Sequence, residues 1–158
     1  NKVSNELELT DYYFFKGKLW DSKRTVIPAG GLFSTAEDMF TFYQMMLNKG
    51  NYRGKRILSE EACRQLTTTQ TGDIKTGFTD GMSWGLGFQV VKEPQGVTQM
   101  LSKGTFGHGG AYATHSWGDP VTQTVYILLV QRRGMPGGDG AAIRKAFQQA
   151  ASDALSLH

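Results

Sequence analysis

The spacing of apolar residues changes from helical to strand-like partway along the 158-residue chain, which limits the architectures open to it. Between residues 39 and 47, apolar side chains recur at the spacing of one helix face. From residue 84 onwards they alternate with other residues or form short continuous runs, as in strands. Short links between consecutive strands require antiparallel pairing, and apolar-faced helices must cover the sheet. The pattern therefore predicts an α+β fold with an antiparallel sheet covered by helices.

The first helix is predicted from about Thr35 to about Asn48. Ser34 and Glu37 form a Ser-x-x-Glu capping box at its start. Gly50 stands where a glycine commonly ends a helix. Both ends of this helix are thus marked by local signals.

A second, short helix is predicted after a turn at residues 51–55. Ser59 caps it, and Glu60 and Glu61 suit its positive N-terminal end. Cys63 lies in this helix and is interpreted as a small buried apolar residue, with a reactive thiol as the alternative. Because it is the only cysteine, no internal disulfide can form.

Four strands are predicted in the second half of the chain. Residues 84–91 alternate as a strand, residues 97–101 form a weaker one, and residues 106–117 form a glycine-rich one. Residues 121–131 contain the fully apolar run 125–130, which is typical of a central strand.

The last helix is predicted over residues 141–157, after a proline–glycine break. Its apolar face is expected to be formed by Ile143, Ala146, Phe147, Ala150, Ala154 and Leu157.

Residues 1–27 are predicted to be an arm or connecting segment, in which residues 6–15 are either strand or extended. Residues 28–31 form a proline–glycine break before the first helix. The chain as a whole is predicted to be one partial domain. It starts at Asn1 without an initiator methionine or a signal-peptide pattern, so we expect its start to be a boundary made by processing or truncation.

Several classes of function are disfavoured by features that the sequence lacks. The net charge is +3, but the 17 basic residues are scattered and form no basic stripe, so nucleic-acid binding is not expected. No run approaches the roughly 18 apolar residues of a membrane-spanning helix. The three histidines and the single cysteine form no zinc motif, and neither a metal nor a cofactor is expected.

The stretch Gly107-His108-Gly109-Gly110-Ala111-Tyr112 is the strongest candidate for a site. It lies in a predicted strand, where glycine weakens packing and often marks the close approach of a ligand or of another backbone. A histidine there can donate a hydrogen bond or adjust a proton-transfer network. The alternative is a bend in the strand with a histidine whose hydrogen bonds are satisfied, and spacing alone does not decide between the two.

Four segments, in the same order along the chain, resemble the serine β-lactamase and penicillin-binding-protein superfamily, in particular its class C β-lactamase-related hydrolases. They are residues 28–39, residues 47–50 with 56–59, Trp84-Gly85-Leu86-Gly87-Phe88, and Phe106-Gly107-His108-Gly109-Gly110. The resemblance covers most of residues 28–157. It implies the C-terminal portion of a β-lactamase- or transpeptidase-like fold.

The resemblance also implies roles for individual residues. His108-Gly109-Gly110 matches the third motif of the superfamily, Lys-Thr-Gly or His-x-Gly, which edges the acyl site on a strand. His108 and Ala111 are then catalytic, with the backbone N–H of Ala111 in the oxyanion hole. Gly109, Gly110 and Tyr112 are then substrate-binding, and the two glycines are expected to leave the backbone open to the acyl group.

A second candidate for this motif is the literal Lys-Thr-Gly at residues 75–77. It lies in a polar stretch before residue 84, whereas the order of segments in the superfamily places the third motif later. We therefore expect these residues to form a loop without a catalytic role.

The nucleophile motif of the superfamily is missing from these 158 residues. No serine is followed three residues later by lysine, and neither Tyr-x-Asn nor Ser-x-Asn occurs. In the superfamily these motifs precede the matched segments, so the nucleophile is expected on a missing or separate polypeptide. This chain alone is therefore expected to be inactive.

The implied parent is a serine acyl hydrolase that acts on a small ester, amide or β-lactam. The sequence does not separate a β-lactamase from a D-Ala peptidase or a carboxylesterase. The alternative function is a non-catalytic interaction module, or a remnant, with the same fold.

In the superfamily, strands from the N-terminal region complete this sheet. We therefore expect association with the missing N-terminal half or self-association of the chain. A periplasmic or secreted location follows from the resemblance alone.

Overall fold

The computed structural model describes residues 23, 32–76, 79–132 and 134–156. The chain divides into two compact units, residues 1–34 and 35–158. Almost all of the first unit lies outside the described residues, as do the predicted arm at residues 1–27, except residue 23, and the predicted break at 28–31. The elements that surround the candidate site all belong to the second unit.

Helix α1 (Ala36–Leu47) begins one residue later than the capping box at Ser34 and Glu37 predicts. Its N-cap is Thr35, whose Oγ1 accepts a hydrogen bond from the N–H of Asp38 at 3.2 Å. The predicted cap at Ser34 is therefore wrong by one position, because the next pair along the chain, Thr35 and Asp38, forms the same arrangement. At the other end, Gly50 adopts a positive φ of 85° and its N–H donates to Met45 O, as expected of a terminating glycine.

A tight hairpin follows α1 and leads into the second helix. Strands β1 (Asn51–Tyr52) and β2 (Lys55–Arg56) pair around a two-residue turn. Helix α2 (Glu60–Thr67) is capped by Ser59, whose Oγ accepts from the N–H of Ala62 at 3.1 Å, as predicted. Cys63 is buried in this helix, which confirms its placement in the core.

Five short strands form one antiparallel sheet, in the order in which they follow along the chain. They are β3 (Met82–Trp84), β4 (Gln89–Val91), β5 (Phe106–Gly109), β6 (His115–Asp119) and β7 (Thr124–Leu128). Helix α3 (Ala142–Leu155) closes the second unit. The predicted fold class, an α+β protein with an antiparallel sheet covered by helices, is confirmed.

The two faces of the sheet carry separate apolar cores. One core lies against α1 and α2 and consists of Tyr43, Met45, Met46, Cys63, Val90 and Phe106. The other consists of Met82, Val91, Leu101, Trp117 and Tyr126, with Phe147 and Ala151 of α3 packed against it. Because side chains alternate between the two faces of a strand, neighbouring residues of β5 face different cores.

The predicted strand at residues 84–91 is a hairpin, β3 and β4 joined by residues 85–88. The N–H of Gly85 donates to Phe88 O at 2.8 Å and closes the turn. A side chain at Gly85 would overlap the carbonyl oxygen of Leu66 in α2, so the turn packs backbone against backbone. The apolar alternation over residues 84–91 therefore continues through a turn and does not mark a single strand.

Two further strand predictions are corrected. Residues 97–101 are not a strand, and their first two residues belong to a 3₁₀ helix (Gly96–Thr98). Residues 106–117 are not one strand but β5, a connection at 110–114 and the start of β6. The connection is closed by the N–H of Gly110, which donates to Thr114 O at 2.8 Å.

The apolar run at 125–130 was predicted as a central strand, yet β7 pairs only with β6 among the described strands. Its apolar character has another cause, since Val125 packs against the core beside α1 and Tyr126 belongs to the core beside α3.

The apolar face predicted for the last helix is only partly correct. Phe147 packs on the sheet and Ile143 is half-buried, but Ala146, Ala150 and Ala154 are exposed, and Leu157 lies outside the described residues. The fully buried residues of α3 are Arg144 and Gln148. Arg144 can be buried because its guanidinium lies over the Trp117 ring, 4.1 Å from the centroid, and donates to Asp139 O at 2.9 Å.

Candidate functional site

His108 lies near the end of β5, directly opposite Ser116 of β6. Its side chain is exposed, and its ring centroid is 5.1 Å from that of Trp84 at an angle of 58°. Its Nδ1 contacts the carbonyl oxygen of Gly109. His108 is therefore presented to solvent on a paired strand rather than enclosed in the core.

The opposite strand is fixed in place by α1. Tyr43 Oη donates to the carbonyl oxygen of Ser116 at 2.7 Å and lies 3.1 Å from its Oγ. Burial raises the pKa of Tyr43 to about 12, against a smaller lowering by the hydrogen bond with Ser116. This phenol therefore acts as a neutral hydrogen-bonding group, and it holds the β6 residue that faces His108.

The remaining predicted site residues follow His108 into the connection between β5 and β6. Gly109 is the last residue of β5, whereas Gly110, Ala111 and Tyr112 lie in the connection and not on a strand as expected. Ala111 is exposed, and its N–H has no acceptor among the described residues. Tyr112 is half-buried, and its carbonyl oxygen accepts from the N–H of Arg132 at 3.2 Å.

Gly109 and Gly110 were expected to leave the backbone open to an acyl group, but the space beside these two glycines is not empty. A Cβ at Gly109 would overlap Oδ1 of Asp139, and a Cβ at Gly110 would overlap Oγ1 of Thr114. Side chains of the chain itself thus occupy the positions that the glycines leave open. The exposed residues of this segment are His108, Gly110 and Ala111, so these three are the ones accessible to a ligand.

A buried histidine stands behind the motif. His115 is directly opposite Gly109 and is 3% exposed. Burial and, to a smaller extent, the positive charge of Arg144 together lower its pKa to about 4, against the opposing effect of Asp139. His115 is therefore neutral at pH 7, unlike a histidine that exchanges protons in that range.

Two of the surface depressions formed by the described residues do not include His108. One, of about 460 Å³, is lined by Lys75, Thr76 and residues 79–82. Lys75 and Thr76 lie in a loop, as predicted, and Gly77 is outside the described residues. The other, of about 550 Å³, lies beside Cys63 between the two helices and the end of β6.

The described residues contain no group of three or more His, Cys, Asp or Glu side chains that could hold a metal ion. Nor does that part of the chain include a helix long and apolar enough to cross a membrane.

Sequence reasoning did not find Trp84, Asp139 and Arg144 as neighbours of the motif. Trp84 was treated as part of a predicted strand and of a segment that resembles the superfamily, and Asp139 only as part of a proline–glycine break. Nothing local indicates that these distant residues meet at β5. The one sequence feature that could have drawn attention to Asp139 is that it is the single carboxylate within the glycine-rich segment 137–140.

Comparison with known proteins gives a consistent result. The family model described as Beta-lactamase matches residues 3–151. An uncharacterized protein of Mycobacterium tuberculosis (strain CDC 1551 / Oshkosh) is 33% identical over 112 residues, which is 65% of this chain and 28% of that protein. A protein of Salmonella paratyphi B, named as a D-alanyl-D-alanine carboxypeptidase, is 31% identical over 120 residues, 75% of this chain and 26% of that protein.

A solved structure also matches. EstCE1, described as a hydrolase with promiscuous acyltransferase activity, superposes with a TM-score of 0.58 and 18% identity, over 75% of this chain and 29% of its own. This likeness shows a shared fold. In all three comparisons the chain spans between a quarter and a third of the length of the protein that it matches.

Proposed function

The chain belongs to the β-lactamase family, and on that premise we propose that it forms one wall of the acyl pocket in a serine hydrolase whose nucleophile lies outside these 158 residues. The observation that carries the proposal is the presence of two groups on exposed residues, one near the end of β5 and one in the connection that follows it. They are the His108 side chain and the Ala111 N–H, which has no acceptor among the described residues.

The Ala111 N–H is assigned to the developing oxyanion. When a serine Oγ attacks an acyl carbonyl, a new C–O bond forms, the carbonyl π electrons move to oxygen, and the serine proton passes to a general base in the segment that supplies the nucleophile. A backbone N–H aimed at that oxygen stabilises the negative charge more in the transition state than in the ground state. In a well-studied protease, one such donor contributes about 2.7–4 kcal/mol.

His108 is assigned to hydrogen bonding at the same site. Its exposed ring is held between the Trp84 indole and the Gly109 carbonyl, so its orientation is restricted. From there it is proposed to hydrogen-bond near the serine and its proton-transfer partner, or to a carboxylate of the substrate. Gly109 and Gly110 contribute backbone to the substrate side, and Tyr112 flanks it.

The substrate class is a small ester, amide or β-lactam. Relatives named as carboxypeptidases and a structural neighbour described as a hydrolase support acyl chemistry in general. We propose that the remainder of the sheet and the nucleophile come from a separate or preceding segment.

The second candidate is a non-catalytic interaction module of the same fold. It is favoured by one specific observation, the absence of a Ser-x-x-Lys motif from these residues. The presence or absence of that motif in the sequence before Asn1 distinguishes the two candidates.

The decisive experiment is His108→Ala in the complete protein, which comprises this chain and the segment that supplies the nucleophile. We expect kcat/KM to fall about 10²–10⁴-fold, the usual contribution of a proton-transfer residue. The melting temperature should barely change, because an exposed side chain contributes little to the core. Lys103→Ala, at an exposed position just before β5, is the matched control. If kcat/KM of His108→Ala stays within about twofold of wild type, His108 is structural and the assignment fails.

A further inference from the structure

Behind the His108-Gly109-Gly110 segment lies a group of polar side chains that the proposed function does not use. This rear cluster consists of Gln89, His115, Asp139, Arg144 and Gln148. Gln89, Arg144 and Gln148 are fully buried, and His115 is 3% exposed. Burying polar groups costs free energy unless they are hydrogen-bonded, so a cluster of this kind in a small core needs a reason.

The hydrogen bonds of the rear cluster are incomplete. Four of its atoms have no partner among the described residues, namely Gln89 Oε1, His115 Nδ1, Arg144 Nη2 and Gln148 Nε2. An apolar cluster of similar volume would avoid this loss of hydration. The arrangement is therefore not explained by stability alone.

Asp139 connects the rear cluster to the end of β5. Gln89 Nε2 donates to its Oδ2 at 2.7 Å, and Arg144 Nη1 donates to its backbone carbonyl at 2.9 Å. Its Oδ1 fills the position where a Cβ of residue 109 would stand, and His115 Cε1 lies 2.8 Å from the same position. Gln89 of β4 thus holds the carboxylate and Arg144 of α3 holds the backbone of the same residue, while the carboxylate presses against Gly109.

We propose that Asp139 is a positioning residue that fixes the backbone of Gly109, and through it the directions of His108 and of the Ala111 N–H. The proposal rests on the proposed function, since it assigns a role to the support of that site. Gly109 has no side chain because the Asp139 carboxylate occupies its place. The carboxylate therefore acts as a fixed support for a strand end that would otherwise be free to shift.

A support of this kind affects the chemical step more than substrate binding. A displacement of about 1 Å in a positioning element can cost about 10²-fold in rate. Since Asp139 contacts the rear of the strand and not its exposed side, its loss should lower kcat and leave KM little changed.

The experiment is a double-mutant cycle in the complete protein, with Gly109→Ala, Asp139→Ala and the double variant. Each single change is expected to lower kcat about 10²-fold. Gly109→Ala does so by forcing the new methyl group against the carboxylate, and Asp139→Ala by removing the support. In the double variant the methyl group enters the space left by the carboxylate and needs only a small shift of the His115 ring, so kcat should recover about tenfold over Gly109→Ala.

Two further variants separate positioning from general destabilisation. Asp139→Asn keeps the volume of the side chain and an oxygen that accepts from Gln89, so it should retain most of the wild-type kcat. Asp153→Ala removes an exposed aspartate of α3, which accepts from Gln149 Nε2 at 2.7 Å, and should leave kcat unchanged.

Two outcomes overturn the inference. One is a kcat of Asp139→Ala within about twofold of wild type. The other is strict additivity of the two single changes, which would mean that residues 109 and 139 do not act together.

If the wild-type complete protein hydrolyses no ester, amide or β-lactam, the proposed function fails, and the inference is decided by NMR. Asp139→Ala should then displace the amide resonances of Gly110 and Ala111, and Asp153→Ala should not. Unchanged resonances in Asp139→Ala overturn the inference.

Discussion

Replacing His115 by glutamine should remove much of the pH dependence of stability between pH 7 and pH 4.5. Burial holds the pKa of His115 at about 4 in the folded state, whereas an exposed histidine has a pKa near 6.5. The unfolded chain therefore binds a proton at His115 more readily than the folded chain. The stability due to neutral His115 is fully present above pH 6.5 and is lost as the pH falls towards 4.

The two pKa values give the size of the effect. At pH 7 both states are mostly neutral at His115, and the free energy of unfolding is nearly unaffected. At pH 4.5 the unfolded state is almost fully protonated while the folded state is largely neutral, which lowers the free energy of unfolding by about 2 kcal/mol. Asp119, whose buried carboxylate accepts hydrogen bonds from the N–H groups of Ser102, Val121 and Thr122, has a lowered pKa and titrates below this window.

The assay is urea unfolding of the wild type and of His115→Gln at pH 8, 7, 5.5 and 4.5, with pH 8 as the reference. The wild type should lose about 2 kcal/mol more than the variant between pH 7 and pH 4.5. If the variant does not fold, the Cε1 proton resonance of His115 in the wild type serves instead. It should not titrate above pH 5. Parallel pH curves, or a titration near pH 6.5, would refute the burial argument.

The remaining predictions concern the site and the sheet. This chain alone should show no turnover of p-nitrophenyl acetate or of a chromogenic cephalosporin above that of denatured protein, because its 158 residues contain no Ser-x-x-Lys motif. It should also self-associate in light scattering after size exclusion and enhance the fluorescence of anilinonaphthalene sulfonate. We expect this because β7 pairs on one side only among the described strands, and because Val121 and Leu129 beside it are exposed. A monomer that does not enhance the fluorescence of the dye would contradict this prediction. In the complete protein, Ala111→Pro removes the proposed oxyanion donor and should lower kcat about 10²–10³-fold, whereas Ala111→Ser keeps the N–H and should not; equal kcat values for the two variants would exclude that donor.

Local signals predicted the helical part of the fold closely. Thr35 and Ser59 cap α1 and α2 within one residue of the expected positions, because a cap depends only on residues a few positions apart. The sheet was predicted less well. Gly85 forms a turn that packs against the carbonyl of Leu66, and no local pattern shows that contact.

The last helix shows a different limit of sequence patterns. Its buried face carries Arg144 and Gln148, which a search for apolar spacing assigns to the surface. A buried guanidinium requires a ring to lie against and a carbonyl to bind, here Trp117 and Asp139. Trp117 is brought to the helix by the fold, whereas Asp139 lies just before the helix in the sequence.

The same limit applies to the candidate site. His108 could be found from its flanking glycines and from the resemblance to a family, since both are features of a short segment. Its support by Asp139 and its contact with Trp84 could not, because three separate segments must first fold together. The glycines themselves were interpreted as space for a substrate, whereas they accommodate side chains of the protein.

Successive residues of β5 point to opposite faces of the sheet, and this explains how the exposed groups of the site are connected to the rear cluster. Phe106 packs in the core beside α1, where it lies against Tyr43, whereas Gly107 and Gly109 face Trp117, His115 and Asp139. His108 is on the same side as Phe106, so no side chain of the rear cluster needs to touch it. The rear cluster therefore contacts the backbone of residues 107–110 and can redirect His108 and Ala111 through it, and glycine at 107, 109 and 110 lets other groups pack directly against that backbone. Substitutions in the rear cluster should thus alter the direction of the exposed groups without altering their chemical identity, which is why the rate of the chemical step, and not the affinity for substrate, is the quantity to measure.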